Sequence, residues 1–310
     1  MCCLFGLIDS KHYFSGEQKS KMLHALAAAS EVRGTDATGI AYNASGKLII
    51  HKNPIPGHKM VFYARNDTTV AMGHARMTTQ GSERKNRNNH PFYGSANGSS
   101  FALAHNGMIY NDKSLRWSFF LPTTKIETDS FIGVQLIEKK GTLNFSSLKF
   151  MAEQLRGTFT FTILDSKNNL YIVKGDNPFC LLHYPKLGLY LYASTSEVLQ
   201  QALKHIELPA NKPVKIQICC GEILRIDRAG KMKRSEFNDT NLCSWDMPTY
   251  TPYLCSRARS CKSAATESGY LDDLKSIAST FGYTSETIDQ LVHHGFMPEE
   301  IEEFLYEGGL

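Results

Sequence analysis

An uninterrupted apolar run from Cys2 to Ile8 opens the chain, and it predicts a strand. Ile40 to Lys52 predicts two strands around the turn Asn43-Ala44-Ser45-Gly46. Between these lies a helical pattern over Glu17 to Glu31, with Met22, Leu23, Leu26, Ala27 and Ala28 on one face and Gly34 as a stop. Val70 to Ala75 and Ser99 to His105 are further apolar strands, each expected to lead into a polar, glycine-containing loop. Thr128 is expected to cap a helix carrying Phe131, Ile132, Leu136 and Ile137, and Ser146 to Arg156 predicts another helix. Strands follow at Thr158 to Leu164, Leu170 to Val173, Leu187 to Ala193 and Val214 to Ile226, with a short helix over Ser196 to Lys204. Groups of strands alternating with groups of helices predict an α+β fold of two packed sheets covered by helices.

The pattern dissolves over residues 238–268 into Ser, Thr, Pro, Arg and Cys, which predicts a linker or irregular extension. Three short helical runs follow, Leu271 to Phe281, Ser285 to His294 and Pro298 to Tyr306. Residues 2–237 thus form the expected main domain, and 269–310 a three-helix module near the lower size limit for independent folding. His294-Gly295-Phe296 gives that module a loose likeness in shape to ubiquitin-associated bundles, and so a protein-binding role is expected of it.

Composition narrows the function classes. The chain has 310 residues and a net charge of +4, but from Gly269 onward nine acidic residues face Lys275 alone. Residues 1–268 therefore carry a net +12. Two solvated surfaces of opposite sign explain this as well as a docking tail does. The basic residues form no aromatic-interleaved stripe, which argues against nucleic acid as a partner. No signal peptide and no membrane span are expected, so the predicted location is cytoplasmic. Eight cysteines are then expected to be thiols. Cys243, Cys255 and Cys261 lack the paired spacing of a zinc site, and no metal is expected. Cys219-Cys220 falls in a predicted strand, where at least one should be core. No glycine-rich phosphate loop is present, and no cofactor is expected.

Four local features carry candidate chemistry. Removal of Met1 would give Cys2 a free α-amine with a pKa of roughly 7.7–8.0, near that of a free thiol at about 8.5, so one residue can supply nucleophile and base. An ordinary apolar residue in a first strand is the competing explanation. Gly73-His74-Ala75-Arg76-Met77-Thr78-Thr79-Gln80-Gly81 places a guanidinium fork and the Thr79 hydroxyl in one loop, suited to a carboxylate, although a surface salt bridge is the commoner use of such an Arg. His105-Asn106-Gly107 brings an amide and an unhindered N–H together as a possible oxyanion hole, or merely forms an Asn-Gly turn. Glu127-Thr128-Asp129 offers a carboxylate for an ammonium, or a helix cap.

Taken in order, these motifs resemble the class II, N-terminal-cysteine family of glutamine amidotransferase domains over roughly residues 2–226. The opening Met1-Cys2 strand with Gly6, the loop Arg33-Gly34-Thr35-Asp36-Ala37-Thr38-Gly39, the segment Asn89-His90-Pro91-Phe92 and Ala193-Ser194-Thr195-Ser196-Glu197 complete the resemblance. It implies a four-layer αββα sandwich of the N-terminal-nucleophile hydrolase type, with a small C-terminal helical bundle appended. It further implies that Cys2 attacks the glutamine side-chain amide, that Asn106 and the Gly107 N–H hold the oxyanion, that Arg76 and Thr79 bind the substrate carboxylate end, and that Asp129 binds its ammonium. Arg33 and His90 would support the site. Cys3, Met77 and Gln80 depart from the residues common at those positions.

An acceptor domain is expected to be separate, because the 84 residues after Ile226 are too few for one. The leading expectation is a glutaminase or amidotransferase subunit that takes L-glutamine and passes ammonia to a partner protein. An amidohydrolase acting on another γ-glutamyl amide, and a catalytically silent glutamine-binding protein retaining Met1, remain open. The sequence leaves the oligomeric state open.

Overall fold

The computed structural model describes residues 2–242, 275, 278, 283–293 and 301, and the chain divides into two units, Met1–Tyr250 and Thr251–Leu310. In the first unit, seven strands form one sheet: β1 (Cys3–Asp9), β2 (Ala37–Ala44), β3 (Lys47–Asn53), β4 (Val70–Arg76), β9 (Cys180–Tyr184), β10 (Leu189–Ala193) and β11 (Val214–Lys215). Six form another: β5 (Phe92–Ala96), β6 (Ser99–Ile109), β7 (Gly157–Asp165), β8 (Leu170–Lys174), β12 (Glu222–Ile226) and β13 (Met232–Glu236). Their orders are β11-β9-β10-β1-β4-β2-β3 and β13-β12-β8-β7-β6-β5. The helices of this unit are α1 (Gly16–Ala29), α2 (Asp112–Ser118), α3 (Phe131–Lys140), α4 (Phe145–Gln154) and α5 (Ser196–Leu203).

Every residue of β1 is buried, and its side chains alternate between two cores. Cys3, Phe5 and Leu7 pack with Leu23 and Leu26 of α1 and Leu199 of α5, whereas Leu4 and Ile8 pack against Ala102, Leu164 and Ile172 of the second sheet. On the far side, Ile132 and Leu136 of α3 and Leu148 of α4 cover Phe161 and Val173. The layers are therefore helix, sheet, sheet, helix, as the resemblance implies. Burial on both faces is the physical reason that β1 reads as a continuous apolar run, and each such side chain contributes ~1.5–3 kcal/mol.

β1 pairs antiparallel with both β4 and β10, which places the first strand of the chain inside its sheet and the start of that strand at the sheet's end. Its other end is fixed by an ion pair between fully buried Asp9 and Lys19, 3.1 Å apart. Lys19 Nζ also donates to the Asn66 and Thr68 carbonyls at 2.8 Å, and Asp9 accepts from the Tyr13 and Phe14 amides. Both charges are thereby satisfied, as burial demands. Ser15 and Gln18 form a capping box that starts α1.

Several sequence expectations need correction. The strand after Ser99 does not stop at His105 but continues to Ile109, so Asn106 and Gly107 lie within β6, opposite Thr160 and Phe159 of β7. Thr128 does not cap α3: Ser130 precedes the helix and makes no side-chain cap bond. The expected strand from Val214 to Ile226 is two strands in different sheets, β11 on β9 and β12 on β8. The chain crosses between sheets in the interval, so Cys219 and Cys220 sit in the crossing, half-buried, rather than in a strand. Residues beyond 237 also belong to this body: the Asn238 amide and Asn241 Nδ2 donate to Glu153, and Leu242 is buried.

In the second unit, α6 (Ser285–His293) matches one expected helix, and its Ile288 packs with Ala278 and Ile301. The greater part of the other two expected helices and of the 238–268 linker, and Cys243, Cys255 and Cys261, fall outside the described residues. Among the described residues, no helix is long and apolar enough to cross a membrane.

Candidate functional site

Cys2 immediately precedes β1 and is half-buried. Its Sγ lies 3.4 Å from the Met77 carbonyl, and Arg33 Nε donates to its backbone oxygen at 3.1 Å. Burial pushes the thiol above the usual cysteine range. The turn that holds Arg33 packs against the end of β4. A Cβ on Gly34 would meet the Arg76 carbonyl carbon at 2.4 Å, so only glycine permits this approach. Two residues on, the Asp36 amide donates to the Arg76 carbonyl at 3.0 Å, and its carboxylate accepts from the Thr78 amide at 2.7 Å. The Arg33–Asp36 segment thus ties the loop after β4 to Cys2.

Arg76 is buried, with its guanidinium folded into its own loop. Nη1 donates to Asn89 Oδ1 at 2.6 Å, and Nη2 donates to the Gln80 and Gly81 carbonyls at 2.6 and 3.1 Å. Thr79 is exposed, whereas the neighbouring Thr78 hydroxyl is buried and has no partner among the described residues. Gln80 Oε1 accepts from the Asp129 amide at 3.0 Å. Asn88 exchanges bonds with Glu127, donating to its carboxylate and accepting from its amide. Loop 77–81 and the segment before α3 are therefore one hydrogen-bonded structure. Sequence reasoning missed Gln80, Asn88 and Asn89 as organisers of it. Their density of amide side chains, Asn86, Asn88 and Asn89 within four residues, was the available signal.

Asn106 is buried near the same end of β1. Its Nδ2 lies 3.4 Å from Ser194 Oγ, which also accepts from the Leu4 amide at 2.8 Å. Ser194 thereby links the oxyanion candidate to the strand that Cys2 opens. Asn177 Nδ2 holds the Asn106 carbonyl at 3.0 Å. At Gly107 the backbone has φ of 142°, and a Cβ would stand 2.0 Å from the Thr158 carbonyl oxygen and 2.6 Å from Asn177 Nδ2. Only glycine fits there. Asp129 turns its carboxylate to β6, accepting from the Ile109 amide at 2.6 Å and from Ser130 Oγ at 3.3 Å. Asn106, Gly107 and Asp129 are thus held around one stretch of β6.

The His90 ring packs tilted between those of His74, at 4.1 Å, and Phe92, at 4.4 Å, and both its ring nitrogens are buried without partners among the described residues. It packs between His74 of one sheet and Phe92 of the other. Burial lowers His74 to about 3 and holds His90 and His105 below the ordinary histidine range. His74 Nε2 engages the His105 carbonyl at 2.9 Å, and His105 Nδ1 engages Ser130 Oγ at 2.8 Å. Lys52, unnoticed in the sequence, is pushed down to about 8 by burial and by Arg76, and donates to the Asn89 and Pro91 carbonyls.

Two packed antiparallel sheets covered by helices on both outer faces are the αββα architecture of the N-terminal-nucleophile class. Residues 57–217 match the family model described as "Glutamine amidotransferase domain". A glutamine–fructose-6-phosphate aminotransferase (isomerizing) from Bacillus cereus is 29% identical over 188 residues, covering 57% of this chain and 30% of the relative. A 7-cyano-7-deazaguanine synthase from Sulfolobus acidocaldarius is 26% identical over 208 residues, covering 64% of this chain and 44% of the relative. The solved glutamine phosphoribosylpyrophosphate amidotransferase from B. subtilis superposes with a TM-score of 0.59 at 23% identity, covering 76% of this chain and 49% of that one. The chain thus spans about a third to a half of the length of these proteins. It belongs to the glutamine amidotransferase domain family, among its class II members.

Proposed function

We propose that Cys2, freed by removal of Met1, hydrolyses the side-chain amide of L-glutamine to glutamate and ammonia. The α-amine takes the thiol proton as sulfur attacks the amide carbon, and Asn106 Nδ2 with the Gly107 N–H stabilise the oxyanion. Collapse breaks the C–N bond as the proton passes to the departing ammonia. Water then cleaves the thioester, releasing glutamate and restoring the thiol. Asp129 receives the substrate ammonium. Arg76 receives the α-carboxylate with help from Thr79, and to do so exchanges the Gln80 and Gly81 carbonyls for substrate, so loop 77–81 moves on binding. Arg33 holds the Cys2 backbone and His90 supports the loop from beneath. The observation that carries this reading is Ser194 Oγ, which draws Asn106 and the strand behind Cys2 to one point.

Ammonia passes to a separate acceptor protein, the C-terminal module serves as a protein-binding appendage, and the setting is cytoplasmic, where Cys2 stays reduced. Glutamate release from glutamine, measured with Cys2 as the first residue and with Met1 retained, tests the chemistry: activity is expected from the first form alone. No glutamate from either form, with or without a candidate acceptor, would sink the proposal. Asn106→Ala is expected to lower kcat by about 10²–10³ with KM little changed, because the lost donor acts on charge that develops after binding. A comparable rise in KM with kcat little changed would instead assign Asn106 to substrate binding.

A further inference from the structure

A cleft of about 670 Å³ opens at the end of the second sheet away from Asn106. Its walls are the β5–β6 turn at Asn97-Gly98, the β7–β8 turn at Lys167, the start of α4 at Asn144, and Arg225 on β12 beside Tyr171 on β8. β6 connects it to the proposed catalytic site: Ser99 lines the cleft and Asn106 lies seven residues on, roughly 24 Å along an extended strand.

The charges around this cleft are unbalanced. Asp165 is its lone acidic lining residue, and its carboxylate is spent within the β7–β8 turn on the Lys167 and Asn169 amides and on Asn169 Nδ2. Arg225 has no ion pair among the described residues, and its Nε is buried without a partner. Directly opposite it in register, on the same face of the sheet, stands Lys233, which is exposed and likewise without an ion pair among the described residues. Two like charges placed cross-strand are unfavourable unless an anion joins them. α4 begins at the same wall, so the positive end of its dipole adds to the field.

From these observations we propose that the cleft binds a small phosphorylated metabolite. Arg225 and Lys167 take the phosphate, with Lys233 adding charge from the neighbouring strand, and the Asn97 amide and Ser99 hydroxyl bind the remainder. The volume falls within the range of small-molecule sites and exceeds what a bare phosphate fills. None of these residues belongs to the glutamine site, so failure of one proposal leaves the other standing.

The test is thermal unfolding of the full chain at constant ionic strength, titrated separately with inorganic phosphate, glucose 6-phosphate and glucose. A saturable rise in Tm is expected with both phosphate probes, at lower concentration for glucose 6-phosphate, and none with glucose. Lys167→Ala, on an exposed turn, should raise the half-saturating concentration about tenfold, and Arg225→Gln at least as much. A rise reproduced by sodium chloride, or unchanged in the Lys167→Ala and Arg225→Gln variants, would overturn the site. Equal half-saturation by phosphate and glucose 6-phosphate would overturn its assignment to a metabolite.

Discussion

Cys2→Ala is expected to abolish glutamine hydrolysis, lowering kcat by roughly 10⁴-fold or more, the usual consequence of removing a covalent nucleophile. Stability should change little. The side chain is half-buried, and its thiol makes one long contact, with the Met77 carbonyl at 3.4 Å. The N-terminal amine survives the substitution, so residual water activation by the amine is measured in the same variant. Steady-state assay of glutamate release, with the urea midpoint recorded in parallel, separates loss of chemistry from loss of fold. A residual rate within tenfold of the parent would place the nucleophile elsewhere.

Acid is expected to unfold the protein well before its carboxylates titrate. His74, His90 and His105 are buried between and around the two sheets in the neutral form, held below the ordinary value of 6.5, His74 as low as about 3. Below pH 6.5 the unfolded chain takes up these protons and the folded one does not. Stability therefore falls as pH drops through the interval from about 6.5 toward 3, by up to ~1.4 kcal/mol per pH unit for each histidine. His90 and His105 act in the same direction as His74. Urea midpoints at stepped pH measure this slope. His90→Phe, which keeps a ring against His74 and Phe92, should reduce the slope by about one histidine's share. A flat profile between pH 7 and 5 would contradict the buried neutral state.

The sheets and their helices were legible because two-sided burial and amphipathic periodicity are local signals. Cys3 to Ile8, Val70 to Ala75 and Thr158 to Leu164 needed nothing else. β13 was not legible, because Met232-Lys233-Arg234-Ser235-Glu236 is an edge strand with four exposed residues, held by its pairing with β12. β9 went unread because its apolar core, Cys180 to Leu182, is too short to show a period. The crossing near Cys219 escaped notice because one apolar stretch serves two sheets.

In the site, the chemical types of Cys2, Arg76, Asn106 and Asp129 could be read from the chain, but their partners could not. Ser194 is 88 residues from Asn106, and the Asp36 carboxylate 42 residues from the Thr78 amide it caps. Such contacts arise from sheet register, which no local pattern states. For the same reason the burial of His90 was not legible: the ring it packs against, His74, lies on another strand.

The central claim is that Cys2, as the first residue, attacks glutamine. Intact-mass spectrometry before and after treatment with 6-diazo-5-oxo-norleucine, a glutamine analogue that alkylates such cysteines, tests it most directly. The expected product is a chain lacking Met1 that gains a single adduct, mapped to Cys2 and prevented by glutamine. A chain that keeps Met1 and takes no adduct, or one modified at another residue, would contradict it.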